Sequence, residues 1–200
     1  MKKFHLSFIS GILACAFYLI FTLLAYLRYP LPYSPTDNWL SDLGNPVLNP
    51  GGAPIYNLGV ILTAFLLMVF FLGLGIWEID NHKLQKVMLR LTQGFGIAGS
   101  LAMLLSAIYS IDQFNIHAFW STSLYILLST AFIFSAAMLR YHPGVPRWLL
   151  VLGISTAVLV LLSSFFQQIY LLEWITVLLF MGYILLLAIS SQNAGHAMSG

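Results

Sequence analysis

The sequence predicts an all-α polytopic membrane protein, a bundle of six transmembrane helices with a short interfacial helix in the first outer loop. Charged residues make up only 7% of the 200 residues, against about 25% in soluble domains. Hydrophobic residues make up 60%, and the mean hydropathy is +0.91. A water-exposed surface this apolar would aggregate, so we expect the chain to lie in lipid. The net charge of +2 is small and its basic residues are scattered, which argues against nucleic-acid binding.

Six apolar segments are long enough to cross a bilayer, whose hydrocarbon core of about 30 Å needs about 20 helical residues. They are 6–27, 56–77, 91–111, 118–139, 148–168 and 172–190. Lys2 and Lys3 precede the first segment as in a signal peptide, but the segment is too long and lacks a small-residue cleavage site. We therefore interpret it as a retained span. Residues 1–190 are predicted to form one transmembrane domain, and 191–200 a polar cytoplasmic tail.

The basic residues predict the orientation of these spans, because short cytoplasmic loops are enriched in Lys and Arg. One set of loops holds seven of the eight: Lys2, Lys3, Lys83, Lys86, Arg90, Arg140 and Arg147. The other set holds only Arg28. We therefore expect a multi-pass protein of the cell membrane with both termini in the cytoplasm.

The long first outer loop, 28–55, contains the signals of a short helix. Ser34 can cap its N-terminus, Pro35 suits its first position and Asp37 completes a capping box. Gly44 is placed to end it. This helix should lie on the membrane surface or close over the mouth of the bundle. The apolar side chains on its one face would be Trp39, Leu40 and Leu43.

Asp42 has no such capping role in the predicted helix. A carboxylate in the last turn faces the negative end of the helix dipole, which costs roughly 0.3 to 1 kcal/mol. Asp42 therefore needs a partner. The structural alternative is Arg28 or a backbone amide, and the functional alternative is a ligand, a cation or a network with His117.

Polar side chains collect on the outer side of the predicted bundle. Four of the six carboxylates lie there, together with one histidine and several amides: Asp37, Asp42, Asp112, Glu173, His117, Asn38, Asn45, Gln113, Gln167 and Gln168. A compact bundle would bring their three loops together. We predict a ligand-binding site formed by Asp42, Asn45, Asp112, His117 and Glu173, of which Asp42, Asp112 and His117 are also candidate catalytic residues. Capping or an interfacial position is the structural alternative for Asp112, His117 and Glu173.

Metal chemistry at this site would depend on carboxylates. His117 is the one outward histidine and no HExxH-type spacing is present, so a typical zinc centre would need two carboxylate ligands. No cofactor is predicted, and a divalent cation is an open alternative. The span centres lack Asp, Glu, Lys and Arg, which argues against a proton relay.

A glycine-rich segment in the third span has the letters of a dinucleotide-binding fingerprint, but no strand precedes it and it lies in an apolar run. We instead predict that its small residues let a neighbouring helix approach closely. These residues are Gly94, Gly96, Gly99 and Ser100.

Several short motifs resemble the prokaryotic membrane family known as domain of unknown function 998. They are Ser41-Asp42-Leu43-Gly44-Asn45-Pro46, Asn49-Pro50, Tyr56-Asn57-Leu58-Gly59, and Asp112 followed by His117. The chain is also loosely similar to the eukaryotic damage-regulated autophagy modulators. The first resemblance implies a multi-pass protein without an assigned activity. It singles out Asp42, Gly44, Asp112 and His117 and supplies no reaction.

Three functions are compatible with the sequence. The one favoured is a non-enzymatic membrane protein that binds a lipid or other amphiphile, with membrane lipids as its partners and the head group at the outer polar residues. The alternative is a lipid hydrolase or transferase, in which His117 works with Asp42 or Asp112. A small-solute transporter comes last, because no internal repeat is visible.

Overall fold

The computed structural model describes residues 5–142, 145–163 and 169–197, with side chains up to 192. This part of the chain contains six α-helices, three short 3₁₀ helices and no strand. The α-helices are α1 (Leu6–Tyr26), α2 (Ala53–Gly73), α3 (Lys83–Ile108), α4 (Phe114–Leu139), α5 (Arg147–Ser163) and α6 (Tyr170–Ala197). The all-α prediction is confirmed for the described residues.

Five helical segments are long and apolar enough to cross a membrane: Leu6–Tyr26, Ala53–Trp77, Lys83–Ile108, Ile111–Leu139 and Tyr170–Gln192. The chain is therefore a multi-pass helical membrane protein. The described part of α5 has 17 residues, and the rest of the predicted fifth span, 164–168, lies outside the described residues, so the sixth crossing stays a prediction. Lys2, Lys3 and 198–200 also lie outside them. Helix α6 continues through Ala197, into the segment predicted to be a tail.

Each α-helix packs against its neighbour in the chain, and α1 packs against α6 to close the bundle. The 3₁₀ helix Leu40–Gly44 contacts α1, α2, α6 and the 3₁₀ helix Ile111–Gln113, so these segments share one end of the bundle. We name it the His117 end. The opposite end, where α2 turns into α3, is named the Trp77 end.

Small residues allow the close approach of α3 to both of its neighbours. A methyl group added at Gly96 would overlap the ring of Phe71 on α2, and one added at Gly99 would come within 2.7 Å of Leu128 on α4. The predicted role is confirmed at these two positions. It is wrong at Gly94, where nothing lies within 4 Å of an added methyl group.

The helix predicted in the long loop is shorter and begins later than expected. Helical structure starts at Leu40 rather than Pro35, because Trp39 has extended backbone angles, φ −64° and ψ 146°. Ser34 and Asn38 form a separate turn, in which the Asn38 side chain accepts the Ser34 N–H. The capping box between Ser34 and Asp37 is therefore wrong, and the Asp37 carboxylate instead accepts the Thr36 hydroxyl. All residues of Leu40–Gly44 are buried; their interfacial position stays a prediction.

The Trp77 end is closed by side chains that bind one backbone carbonyl. Trp77 is only 1% exposed, and its carbonyl accepts Gln85 Nε2 at 2.6 Å and His142 Nε2 at 2.8 Å. The oxygen of the same Gln85 amide, Oε1, accepts the Ile79 N–H. The rings of Trp77 and His142 meet edge to face at 4.9 Å. Aromatic packing and the hydrogen bonds of the Gln85 amide therefore fill this end, while the buried Trp77 indole N–H has no hydrogen-bond partner among the described residues.

Candidate functional site

Two cavities lie side by side at the His117 end. The larger, of about 320 Å³, lies mainly between α4, α6 and the residues around Trp39. The smaller, of about 70 Å³, extends into the core toward Tyr18 and Phe180. Both are lined by Ser41, Ile111, His117, Ser121, Tyr125 and Glu173. We name these six residues the shared wall, and most of them carry a polar group.

Glu173 lies in the first turn of α6 and joins that helix to the long loop. Its Oε2 accepts the backbone N–H of Leu40 at 2.6 Å and that of Ser41 at 3.4 Å. The Ser41 side chain is also within hydrogen-bonding reach. None of the ion pairs among the described residues involves Glu173. The carboxylate therefore holds the loop over the cavities and has hydrogen-bond donors but no cation beside it.

His117 lies in the first turn of α4 and caps the end of α3. Its Nδ1 is 2.9 Å from the carbonyl oxygens of both Ser106 and Tyr109. Because both partners are acceptors, Nδ1 carries the proton and donates to them. Nε2 then accepts the Ser121 hydroxyl at 3.2 Å. Carbonyls at a helix end have no partner within the helix, so His117 has a structural role as well as a place at the shared wall.

The structure corrects the interpretation of Asp42. Since the helix begins at Leu40, Asp42 lies in its first turn, not its last, and its Oδ2 accepts the Trp39 N–H at 3.0 Å. The predicted cost against the helix dipole is therefore wrong. The backbone-amide alternative describes the contact that Asp42 makes. Burial raises the pKa of the Asp42 carboxyl, and the Trp39 N–H opposes that rise.

Asn45 and Asp112 form local contacts, although Ser110, the partner of Asp112, lines the smaller cavity. Asn45 Oδ1 accepts the N–H groups of Val47 and Leu48 at 2.9 and 3.2 Å, which stabilises a turn. Asp112 is exposed and accepts the Ser110 hydroxyl at 2.5 Å. Like Asp42, neither residue lines either cavity. Of the five predicted ligand-binding residues, only His117 and Glu173 meet at the shared wall.

This arrangement decides which chemistry the site can support. Neither Asp42 nor Asp112 is a hydrogen-bond partner of His117, whose partners are Ser106, Tyr109 and Ser121. No hydrogen bond therefore joins His117 to either carboxylate, and a role for them as an acid/base pair stays a prediction. Across the described ranges, no three His, Cys, Asp or Glu side chains form a group that could hold a metal ion, so the geometry lends a divalent cation no support.

Sequence reasoning missed two asparagines that hold the long loop in place. Asn49 is fully buried; its Nδ2 donates to the carbonyls of Ala25 and Leu43, and its Oδ1 accepts the Gly52 N–H. Asn57 Nδ2 donates to the Gly44 carbonyl at 3.0 Å. Both residues stand in the motifs quoted for the family resemblance. The residues of those motifs therefore serve largely to hold the long loop in position over the cavities.

A family model described as "Protein of unknown function (DUF998)" matches residues 12–190. The chain belongs to this family. The first resemblance drawn from the loop motifs is thereby confirmed. No curated protein and no solved structure matches the chain. For this DUF998 protein the cavities and the shared wall are therefore the basis for a functional proposal.

Proposed function

We propose that this DUF998 protein binds a lipid or other amphiphile in the larger cavity, with the head group at the shared wall. The observation that carries the proposal is the meeting of two cavities, at one end of the bundle, at a wall of mostly polar side chains that includes a carboxylate. A volume of about 320 Å³ is within the usual range for small-molecule sites, about 300 to 1,000 Å³. A single amphiphile in the larger cavity could therefore place its polar head group at the shared wall and its hydrocarbon tail against the apolar lining.

The lining of the larger cavity matches the two halves of an amphiphile. Away from the shared wall it includes the apolar side chains of Phe114, Ile169 and Leu172. Phe114 is 61% exposed and Ile169 50% exposed, so this part of the lining reaches the surface of the bundle. A hydrocarbon tail could enter there from the bilayer, since lipid tails are as apolar as these side chains.

The proposal also includes the membrane in which the protein lies and the orientation of the protein in it. The protein lies in the cell membrane in this proposal, and its basic residues favour cytoplasmic termini, with the His117 end on the outer side. Membrane lipids are then the partners. A hydrolase, a transferase or a transporter is not proposed, because no observation at the site favours one of them.

The test measures bound lipid on protein purified in a mild uncharged detergent. Native mass spectrometry of the wild type should show a retained lipid, and added lipid should raise the thermal unfolding temperature. Ala118→Phe places a ring into the larger cavity, which Ala118 lines, and should reduce the retained lipid several-fold. The matched control is Ser123→Phe on the same helix. Ser123 lines neither cavity, and its hydroxyl makes an exposed hydrogen bond to the Phe119 carbonyl.

Two results would contradict lipid binding in this cavity. One is a wild-type spectrum free of lipid together with no lipid-dependent thermal shift. The other is equal lipid retention by Ala118→Phe and the wild type, which would place the lipid elsewhere on the protein.

A further inference from the structure

The charge around the cavities is one-sided. Among the described residues that line them, Glu173 is the one carboxylate, and no Lys or Arg is present. His117 donates from Nδ1 and accepts at Nε2, so its hydrogen bonds fit the uncharged ring. The potential at the shared wall is therefore negative whenever Glu173 is ionised.

Within the described ranges, no Lys or Arg side chain pairs with this carboxylate or lines the cavities beside it. Arg28 is the one Lys or Arg in the loops of the His117 end. It is exposed, lines neither cavity, and lies beside Gly51. The segment 164–168 contains no Lys or Arg in its sequence. Glu173 is half-buried, and a partly desolvated carboxylate without a cation carries a cost that an incoming positive charge would relieve.

Aromatic side chains supply a second feature that suits a cation. Trp39 and Tyr125 line the larger cavity together with Glu173. The ring of Trp39 is fixed edge to face against Tyr170, with centroids 4.8 Å apart. Aromatic rings attract ammonium groups through their faces, and such rings with a carboxylate are a common setting for quaternary ammonium ligands.

We infer that the head group bound at the shared wall is cationic, a protonated amine or a quaternary ammonium group, and that Glu173 receives it. This inference rests on the proposed function and names the class of its ligand. A zwitterionic lipid fits if its ammonium group lies at Glu173 and its phosphate lies toward the surface. A purely anionic head group would meet the carboxylate with no cation beside it.

The experiment compares four lipids with identical acyl chains in competition on the wild-type protein. They are phosphatidylcholine, phosphatidylethanolamine, phosphatidylglycerol and diacylglycerol, with retention read by native mass spectrometry. We expect the two ammonium lipids to be retained about tenfold better than phosphatidylglycerol, a difference of about 1.4 kcal/mol. The retention of diacylglycerol, which is uncharged, should lie between that of the ammonium lipids and that of phosphatidylglycerol.

Glu173→Gln removes the charge and keeps an oxygen that can accept the Leu40 N–H. This variant should lose the preference for ammonium over anionic lipids while retaining diacylglycerol as the wild type does. The matched control is Asp112→Asn, which removes an exposed carboxylate at the same end of the bundle, outside the cavities. Its preference should equal that of the wild type. If Glu173→Gln fails to fold, the comparison on the wild type still decides the inference.

The outcomes separate the two proposals. If phosphatidylglycerol is retained as well as the ammonium lipids, the cationic head group is wrong and amphiphile binding stands. If none of the four lipids is retained, the proposed function itself is wrong. Choline without a tail forms a further arm: if it binds as tightly as phosphatidylcholine, the cation is confirmed and the ligand is a small soluble amine instead of a lipid.

Discussion

The two ends of the bundle use polar groups in opposite ways. At the Trp77 end, Gln85 and His142 turn their side chains onto the carbonyl of Trp77, and the rings pack around it. At the His117 end, Glu173 and His117 bind the backbone and also line two adjoining cavities. Similar residue types thus close one end and leave the other hollow.

This difference shows that the protein is less tightly packed at the His117 end. A filled and hydrogen-bonded end contributes stability, whereas a cavity lined by polar groups forgoes dispersion contacts that filling it would give. Sites that bind ligands are commonly the places where a fold departs from its most stable packing. The contrast between the ends therefore supports a binding role at the His117 end and a structural role at the Trp77 end.

Trp77→Ala should produce the largest loss of stability. Removing a fully buried indole leaves a cavity, and such substitutions cost about 3 to 5 kcal/mol. Thermal or denaturant unfolding in detergent measures the loss. Trp148→Ala is the control, since Trp148 is 54% exposed and should cost far less. Equal losses from the two variants would mean that the Trp77 end is not the filled end described above.

Asn49→Ala tests the frame of the hollow end. The substitution leaves the Ala25 and Leu43 carbonyls and the Gly52 N–H without their buried partner, and we expect a loss of about 1 to 3 kcal/mol. Asn45→Ala removes bonds in a half-buried turn and should cost less. The same unfolding assay compares them. If Asn45→Ala proves the more damaging, the loop is held by its turns and not by Asn49.

Two carboxylates, one at each end, should give the smallest effects, with opposite dependence on pH. Burial raises the pKa of Asp42 above its usual 3.8, so the ionised group destabilises the fold at neutral pH and this cost disappears as the pH falls below 3.8. A hydrogen bond from Lys86 lowers the pKa of Glu78 below its usual 4.5. Its contribution is present above pH 4.5 and is lost as the pH falls through the lowered pKa.

Asp42→Asn should therefore leave stability at pH 7 unchanged or slightly raised, because an amide oxygen can still accept the Trp39 N–H. Glu78→Gln should slightly lower it, because it removes ion pairs to Lys86 and Arg90 at 2.9 and 2.8 Å. Unfolding temperatures recorded from pH 7 to pH 3.5 measure both. A clear loss for Asp42→Asn at pH 7 would show that its negative charge has a partner.

Composition and local pattern predicted the helical membrane fold, because the transfer of a helix into lipid depends on a sum of single-residue properties. The small side chains at Gly96 and Gly99 indicated close helix contacts, and Phe71 and Leu128 fill the space they leave. The same pattern failed at Gly94, since a glycine on an open face has the same letter as one in a contact. The start of the loop helix was also misplaced, because Ser34 and Asn38 complete a turn by themselves.

The site is formed by residues far apart in the chain, and local sequence patterns do not predict which of them come into contact. Glu173 was predicted as an outer carboxylate, but its bond to Leu40, 133 residues away, follows from the packing of α6 against the loop. Asp42, Asn45 and Asp112 were expected beside it and instead complete local turns and caps. Polarity predicts that such groups need partners and does not say which partner is nearest.

The amino-acid sequence by itself determined that this chain is a helical membrane protein and that four of its six acidic residues lie toward one end. Transfer of apolar side chains into lipid and the need to satisfy every backbone amide there leave few other folds. Only the tertiary structure decided that His117 and Glu173 share a wall between two cavities while the Trp77 end is filled. Cavities depend on how side chains from several helices fit together, and that fit exists only once the helices have packed.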